Sequence, residues 1–156
     1  MANVETITGG SGVDNITLAA PMITGSVDLG AGNDTLTLNA STNHVSVSNV
    51  ETVFGKAGND FITVSSGGAA MIDAGGGVNQ VTGHAAADIF VFDQNSVGNF
   101  TTVMNFDQAD GNKIGLDISG SSTLTGNVYD VSSLTNGVNI EAAVSYTHLD
   151  VYKRQP

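Results

Sequence analysis

The chain has 156 residues, enough for one domain, with 20 glycines, 2 prolines and no cysteine. Four Lys and Arg stand against 15 Asp and Glu, and the net charge of −11 argues against nucleic acid or an anionic membrane as partner and for cations. Without cysteine there is no disulfide or thiolate site, and no apolar run approaches the length of a membrane-spanning helix, so membrane insertion is not expected.

In chain order, Met1-Ala2-Asn3-Val4-Glu5-Thr6 has neither a basic nor an apolar region and does not read as a cleavable signal peptide. The first strong motif is Gly9-Gly10-Ser11-Gly12-Val13-Asp14-Asn15-Ile16-Thr17. It fits G-G-x-G-x-D-x-U-x, with U a large apolar residue, at every defined position. Repeated, that nonapeptide builds a calcium-binding parallel β-roll. Degraded copies follow at Leu29–Thr37, containing Gly30, Gly32, Asn33 and Asp34, and at Gly55–Thr63, containing Gly58, Asn59 and Asp60. A further echo at Ala74–Thr82 keeps Gly75 and Gly77 but has Asn79 where Asp belongs. Gly83–Val91 is another, with Ala86 in place of Gly and Asp88 retained.

Between these turns, Ile16-Thr17-Leu18, Leu36-Thr37-Leu38 and Ile62-Thr63-Val64 alternate apolar and polar, the period of a half-buried strand. Thr17, Thr37, Thr63 and Thr82 fall at equivalent outward positions and are expected to form a ladder on one face. No segment keeps a helical period. A longer repeat lies above the nonapeptide: Asn3-Val4-Glu5-Thr6-Ile7 returns as Asn49-Val50-Glu51-Thr52-Val53, a shift of 46, and Val27-Asp28-Leu29-Gly30 returns as Ile72-Asp73-Ala74-Gly75, a shift of 45. This reads as two copies of a four-strand unit, and such internal repetition means a solenoid.

The Gly-rich turns 9–14, 30–34, 55–60 and 75–79 alternate with plain turns near 19–21, 40–43, 65–68 and 83–88. Alternate turns of a two-sided roll share an edge, so all four Gly-rich turns are expected on one edge. Their closing residues are separated by 34−14 = 20, 60−34 = 26 and 79−60 = 19 positions, against 18 for a coil of two nonapeptides. The expected fold is all-β: a parallel β-roll of about four coils over residues 1–91, with a less regular β-rich cap over 92–144.

Calcium takes about six to eight oxygens at about 2.3–2.6 Å. Glycine lets a turn aim its carbonyls inward, and the closing Asp adds a carboxylate. Stacked turns would then share ions that replace carboxylate repulsion with cross-linking. The expected metal residues are Gly9, Gly10, Gly12, Asp14, Gly30, Gly32, Asn33, Asp34, Gly55, Gly58, Asn59, Asp60, Gly75, Gly77 and Asn79. One ion is expected between turns 9–14 and 30–34, one between 30–34 and 55–60, and a weaker one against 75–79, where Asn79 brings no charge. Lys56 adds a cation near its own turn. His44, His84 and His148 share no ligand spacing. Asp107–Asn112 lacks the spacing and final Glu of an EF-hand loop and reads as a turn.

These motifs resemble the repeats-in-toxin (haemolysin-type) family of secreted bacterial proteins. The segments Ala87–Asp93, Val103–Asp107 and Asp110–Leu116 resemble the part that closes such rolls. The resemblance spans about residues 3–117. It implies a non-catalytic Ca2+-binding roll, export by a type I secretion machine, and folding outside the cell when calcium rises. Two alternatives stand beside it: a metal-independent spacer of a cell-surface adhesin, and a β-helical enzyme acting on acidic polysaccharide. The second would need clustered basic groups, and the chain before residue 145 has only Lys56 and Lys113. Ser145–Gln155 breaks the composition abruptly and resembles the translation of a sequencing adapter, so 145–156 is set apart from the fold as an artefactual tail.

Overall fold

The structure is a computed structural model that describes residues 5–93 and 100–117. Twelve strands follow one another: β1 (Glu5–Gly10), β2 (Asn15–Thr17), β3 (Gly25–Gly30), β4 (Thr35–Thr37), β5 (His44–Ser48), β6 (Thr52–Phe54), β7 (Phe61–Ser66), β8 (Met71–Asp73), β9 (Val78–Thr82), β10 (Ile89–Asp93), β11 (Phe100–Met104) and β12 (Lys113–Asp117). Odd strands form one six-stranded parallel sheet and even strands the other. The protein is therefore an all-β parallel solenoid in which each rung gives one strand to each sheet.

The core follows from period two. Ile16, Leu36, Val53, Ile72, Phe90 and Ile114 are successive register partners along the even sheet. From the odd sheet, Ile7, Val27, Val47 and Val64 form one column, and Val45, Ile62, Val81 and Val103 another. These columns meet between the sheets, and most of their members are buried. Burial of each such side chain is worth roughly 1.5–3 kcal/mol, so the stack of rungs, not any single strand, stabilises the fold.

The described part of the roll is longer than the four coils expected, since each sheet holds six strands. The sheets also run past residue 92, through β10, β11 and β12 in register with the rungs before them. Residues 118–144 of the expected cap, and the tail 145–156, lie outside the described residues.

A short turn at Asn49-Val50-Glu51 reverses the chain between β5 and β6. Asn49 adopts a left-handed φ of 51° there, which Asn tolerates better than most residues. No glycine marks this turn, and it changes the edge of everything after it. Turns 11–14, 31–34, 49–51, 67–70, 83–88 and 105–112 line the first edge; turns 18–24, 38–43, 55–60 and 74–77 line the second. The Gly-rich turns thus divide two and two between the edges, and do not share one as the sequence pattern suggested.

The same turn corrects two other expectations. The shifts of 45 and 46 carry β3 to β8 and β1 to β6, so they span two and a half rungs and exchange the two sheets. The threonine ladder is likewise divided: Thr17 pairs with Thr37 in the even sheet, and Thr63 with Thr82 in the odd one.

Candidate cation sites on the two edges

The boundary between turn and strand, the residue just before the strand or, for Asn79, the second residue of β9, is where the chemistry gathers. On the first edge, the Asp14 N–H donates to Asp34 Oδ1 at 2.8 Å, and the Asp34 N–H donates to Glu51 Oε2 at 2.7 Å. Further along, the Ala70 N–H donates to Asp88 Oδ1 at 2.9 Å, and the Asp88 N–H to Asn112 Oδ1 at 2.8 Å. On the second edge, Met22 N–H donates to Asn43 Oδ1 at 3.1 Å, Asn43 N–H to Asp60 Oδ1 at 2.9 Å, and Asp60 N–H to Asn79 Oδ1 at 2.8 Å. Each edge is therefore a side-chain ladder in which one rung's oxygen caps the preceding rung's N–H. The first edge breaks where Ala70 offers no oxygen to Glu51. The steps are 20, 17, 18 and 24 residues on the first edge, and 21, 17 and 19 on the second.

The second polar atom of each ladder side chain turns toward its own turn. Asn43 Nδ2 donates to Asn39 O at 2.8 Å and Ser41 O at 2.5 Å. Asn79 Nδ2 donates to Ala74 O at 3.3 Å and Gly75 O at 3.2 Å. Asp14 Oδ2 accepts from the Gly10 N–H at 3.1 Å. At Asp34 and Asp60 this arrangement fails: both residues are 0% exposed, and neither Oδ2 has a hydrogen-bond partner. A buried unpartnered polar atom costs about 1–3 kcal/mol, and more when charged. Burial accordingly pushes the Asp60 carboxyl above its ordinary value; the Asn43 hydrogen bonds and nearby His44 offset this in part.

Both orphan oxygens sit in Gly-rich turns. A side chain at Gly55 would meet Ala74 O and, at 2.9 Å, Asp60 Oδ2. One at Gly32 would meet Gly12 O and, at 2.5 Å, Asp34 Oδ1, the carboxylate oxygen that accepts the Asp14 N–H. These are spaces bounded by carboxylate and carbonyl oxygens and kept open by the lack of a Cβ. The donor set is all oxygen and suits a hard cation. Gly12, Gly32 and Asp34 would hold it on the first edge, with Gly9, Gly10, Asp14, Gly30 and Asn33 around them. Gly55 and Asp60 would hold it on the second, with Gly58, Asn59, Gly75, Gly77 and Asn79. A bound cation would supply a positive charge beside Asp34 and Asp60.

The expected residues thus come together as two pairs of turns. Turn 9–14 stacks on 30–34, and turn 55–60 on 75–79; the ion expected between 30–34 and 55–60 has no place, because these turns lie on opposite edges. Some turn oxygens are already engaged: Gly10 O accepts from Ala31 N–H at 2.9 Å, and Lys56 O from Gly76 N–H at 2.7 Å. Asn59 Oδ1 accepts from Val78 N–H at 2.8 Å, which gives that side chain a structural role. Among the described residues no group of three or more His, Cys, Asp or Glu converges as a metal cage, so an ion would depend on carbonyls. The pattern search missed Asn43, Glu51 and Asn112 as ladder members. Their signal is position alone: each immediately precedes a strand. No protein-family profile matches the chain, nor does any curated protein or solved structure.

Proposed function

We propose that the protein is a calcium-responsive structural roll, non-catalytic, serving the extracellular folding of a type I secreted protein of the repeats-in-toxin kind. The observation that carries this reading is the pair of buried, unpartnered carboxylate oxygens at Asp34 and Asp60, one on each edge, each in a Gly-rich turn. An unpaired buried charge is tolerated only if something of opposite charge joins it. Calcium binding would then contribute directly to folding free energy. Secretion and the type I machinery rest on the motif resemblance.

A second reading has its own support. Backbone-to-side-chain hydrogen bonds link the ladders over most of both edges, and Asn79 and Asn112 already satisfy their turns. A roll held in this way could serve as a metal-independent spacer. Calcium titration of the full chain from a chelated state, followed by far-UV circular dichroism and calorimetry, separates the two. The calcium reading expects gain of β signal and binding heat at micromolar to millimolar calcium, with magnesium ineffective. Unchanged β signal with no heat leaves the spacer.

A further inference from the structure

Beyond Asp34 the first edge keeps only the degraded copy at Gly83–Val91, and its turns 67–70 and 83–88 are joined by a histidine. His84 Nδ1 lies 3.1 Å from Asp88 Oδ2, and Nε2 lies 3.1 Å from Gly67 O. The His84 side chain is 14% exposed and Asp88 is fully buried. Asp88 Oδ1 is taken by the Ala70 N–H, and Oδ2 also accepts the His84 N–H at 3.2 Å. Both partners of the imidazole are therefore acceptors. A neutral imidazole has one N–H, so its other nitrogen would turn a lone pair toward an oxygen. With Asp88 ionised, only the imidazolium satisfies both contacts.

We propose that His84 is a proton-dependent clamp: its imidazolium ties turn 83–88 to turn 67–70, and loss of one proton opens one of the two bonds. This is a cationic cross-link between stacked turns where the glycine motif is degraded, and it rests on none of the expected calcium residues. On its own turn the ionisable neighbour is Asp88. Turn 67–70, Gly67-Gly68-Ala69-Ala70, has none. The next turn brings Asp107 and Asp110, both exposed, and meets this one through Asn112. Lys113 opens β12, with its N–H on Asp88 O at 2.8 Å. Glu51 lies one rung beyond turn 67–70, its carbonyl on Met71 N–H at 2.9 Å.

The test is made on the full chain, both with excess calcium and with chelator, so that it stands apart from the calcium reading. Long-range nitrogen–proton NMR of His84 should show both ring nitrogens protonated at the acid end of a pH series and one at the alkaline end, with amide protection factors in turn 83–88, corrected for intrinsic exchange at each pH, about tenfold lower at the alkaline end. The melting temperature of the wild type should exceed that of His84→Gln by about 4–8 °C at acid pH, and the gap should narrow as pH rises. His44→Gln, which alters the other described histidine, should leave the His84 nitrogen–proton signature unchanged. A gap that does not change with pH, or an imidazole carrying one proton throughout with unchanged protection factors, overturns the clamp. If His84→Gln does not fold, the NMR of the wild type decides alone.

Discussion

At the scale of the residue, Asp60 and Asn79 occupy the same ladder position one rung apart, yet differ in one atom. Asn79 places an N–H2 where its own turn offers carbonyls; Asp60 places an oxygen with no partner. Replacing Asp60 by Asn should therefore act in opposite directions under two conditions. Without calcium, Asp60→Asn should stabilise the roll by about 1–3 kcal/mol, because it removes a buried unpaired charge. With calcium, it should lose the gain that the wild type shows on the second edge. The pH dependence follows from the same oxygen. Its folded carboxyl sits above the ordinary value through burial, so the folded state takes up the proton more readily than the unfolded chain. That contribution is full below the ordinary carboxylate value and is lost as pH rises through the raised one. Urea midpoints at several pH values, in chelator, should show the wild type losing stability over that window and Asp60→Asn losing less. Equal midpoints for the two proteins would remove the argument that Asp60 is unpaired. The ladder itself was hard to read from sequence because Glu51 and Asn43 carry no motif; only their place before a strand unites them with Asp14 and Asp34.

At the scale of the element, the strands and Gly-rich turns were legible, since period-two runs and paired glycines each have a local cause. Their assignment to edges was not. It depends on counting every reversal, and Val45 to Val53 reads as one strand until Val50 is seen to be buried out of phase with Val47. The spacing already contained the answer: 60−34 = 26 is close to one and a half coils of 18, not one coil with extra residues. The same geometry ranks the glycines. A side chain at Gly12 would meet nothing within 4 Å, whereas one at Gly32 would meet Gly12 O and Asp34. Gly77 has φ +108° and faces Gly58 O. Gly12→Ala should thus change stability by less than about 0.5 kcal/mol, and Gly32→Ala and Gly77→Ala should each destabilise by roughly 1–3 kcal/mol. Thermal melts of the three variants check the order. A Gly12→Ala loss as large as that of Gly32→Ala would mean that the motif acts through backbone freedom and not through the stacking of one turn on the next.

At the scale of the whole molecule, the two edges differ in how charge is arranged. The second alternates amide and carboxylate, Asn43, Asp60, Asn79, while the first begins with three carboxylates in succession, Asp14, Asp34 and Glu51. Neighbouring carboxylates about one rung apart repel by about 1 kcal/mol even in a water-like dielectric, and more where shielded. The described N-terminal rung is also the less buried one: Ile7, Ile16 and Leu18 are only partly covered, whereas Val53 and Ile72 are fully so. Without calcium, β1 to β4 should therefore open before the rest, and hydrogen exchange should report a low opening free energy there and a higher one across β5 to β10. Simple end fraying predicts a similar gradient, so a variant must separate the causes. Glu51→Gln removes one of the three charges while its amide oxygen can still accept the Asp34 N–H. If repulsion sets the gradient, Glu51→Gln in chelator should slow exchange in β3 and β4, and about 1 M salt should do the same to the wild type by screening. If fraying sets it, neither change should matter, and the acidic stack would be a consequence of the fold with no part in its calcium response.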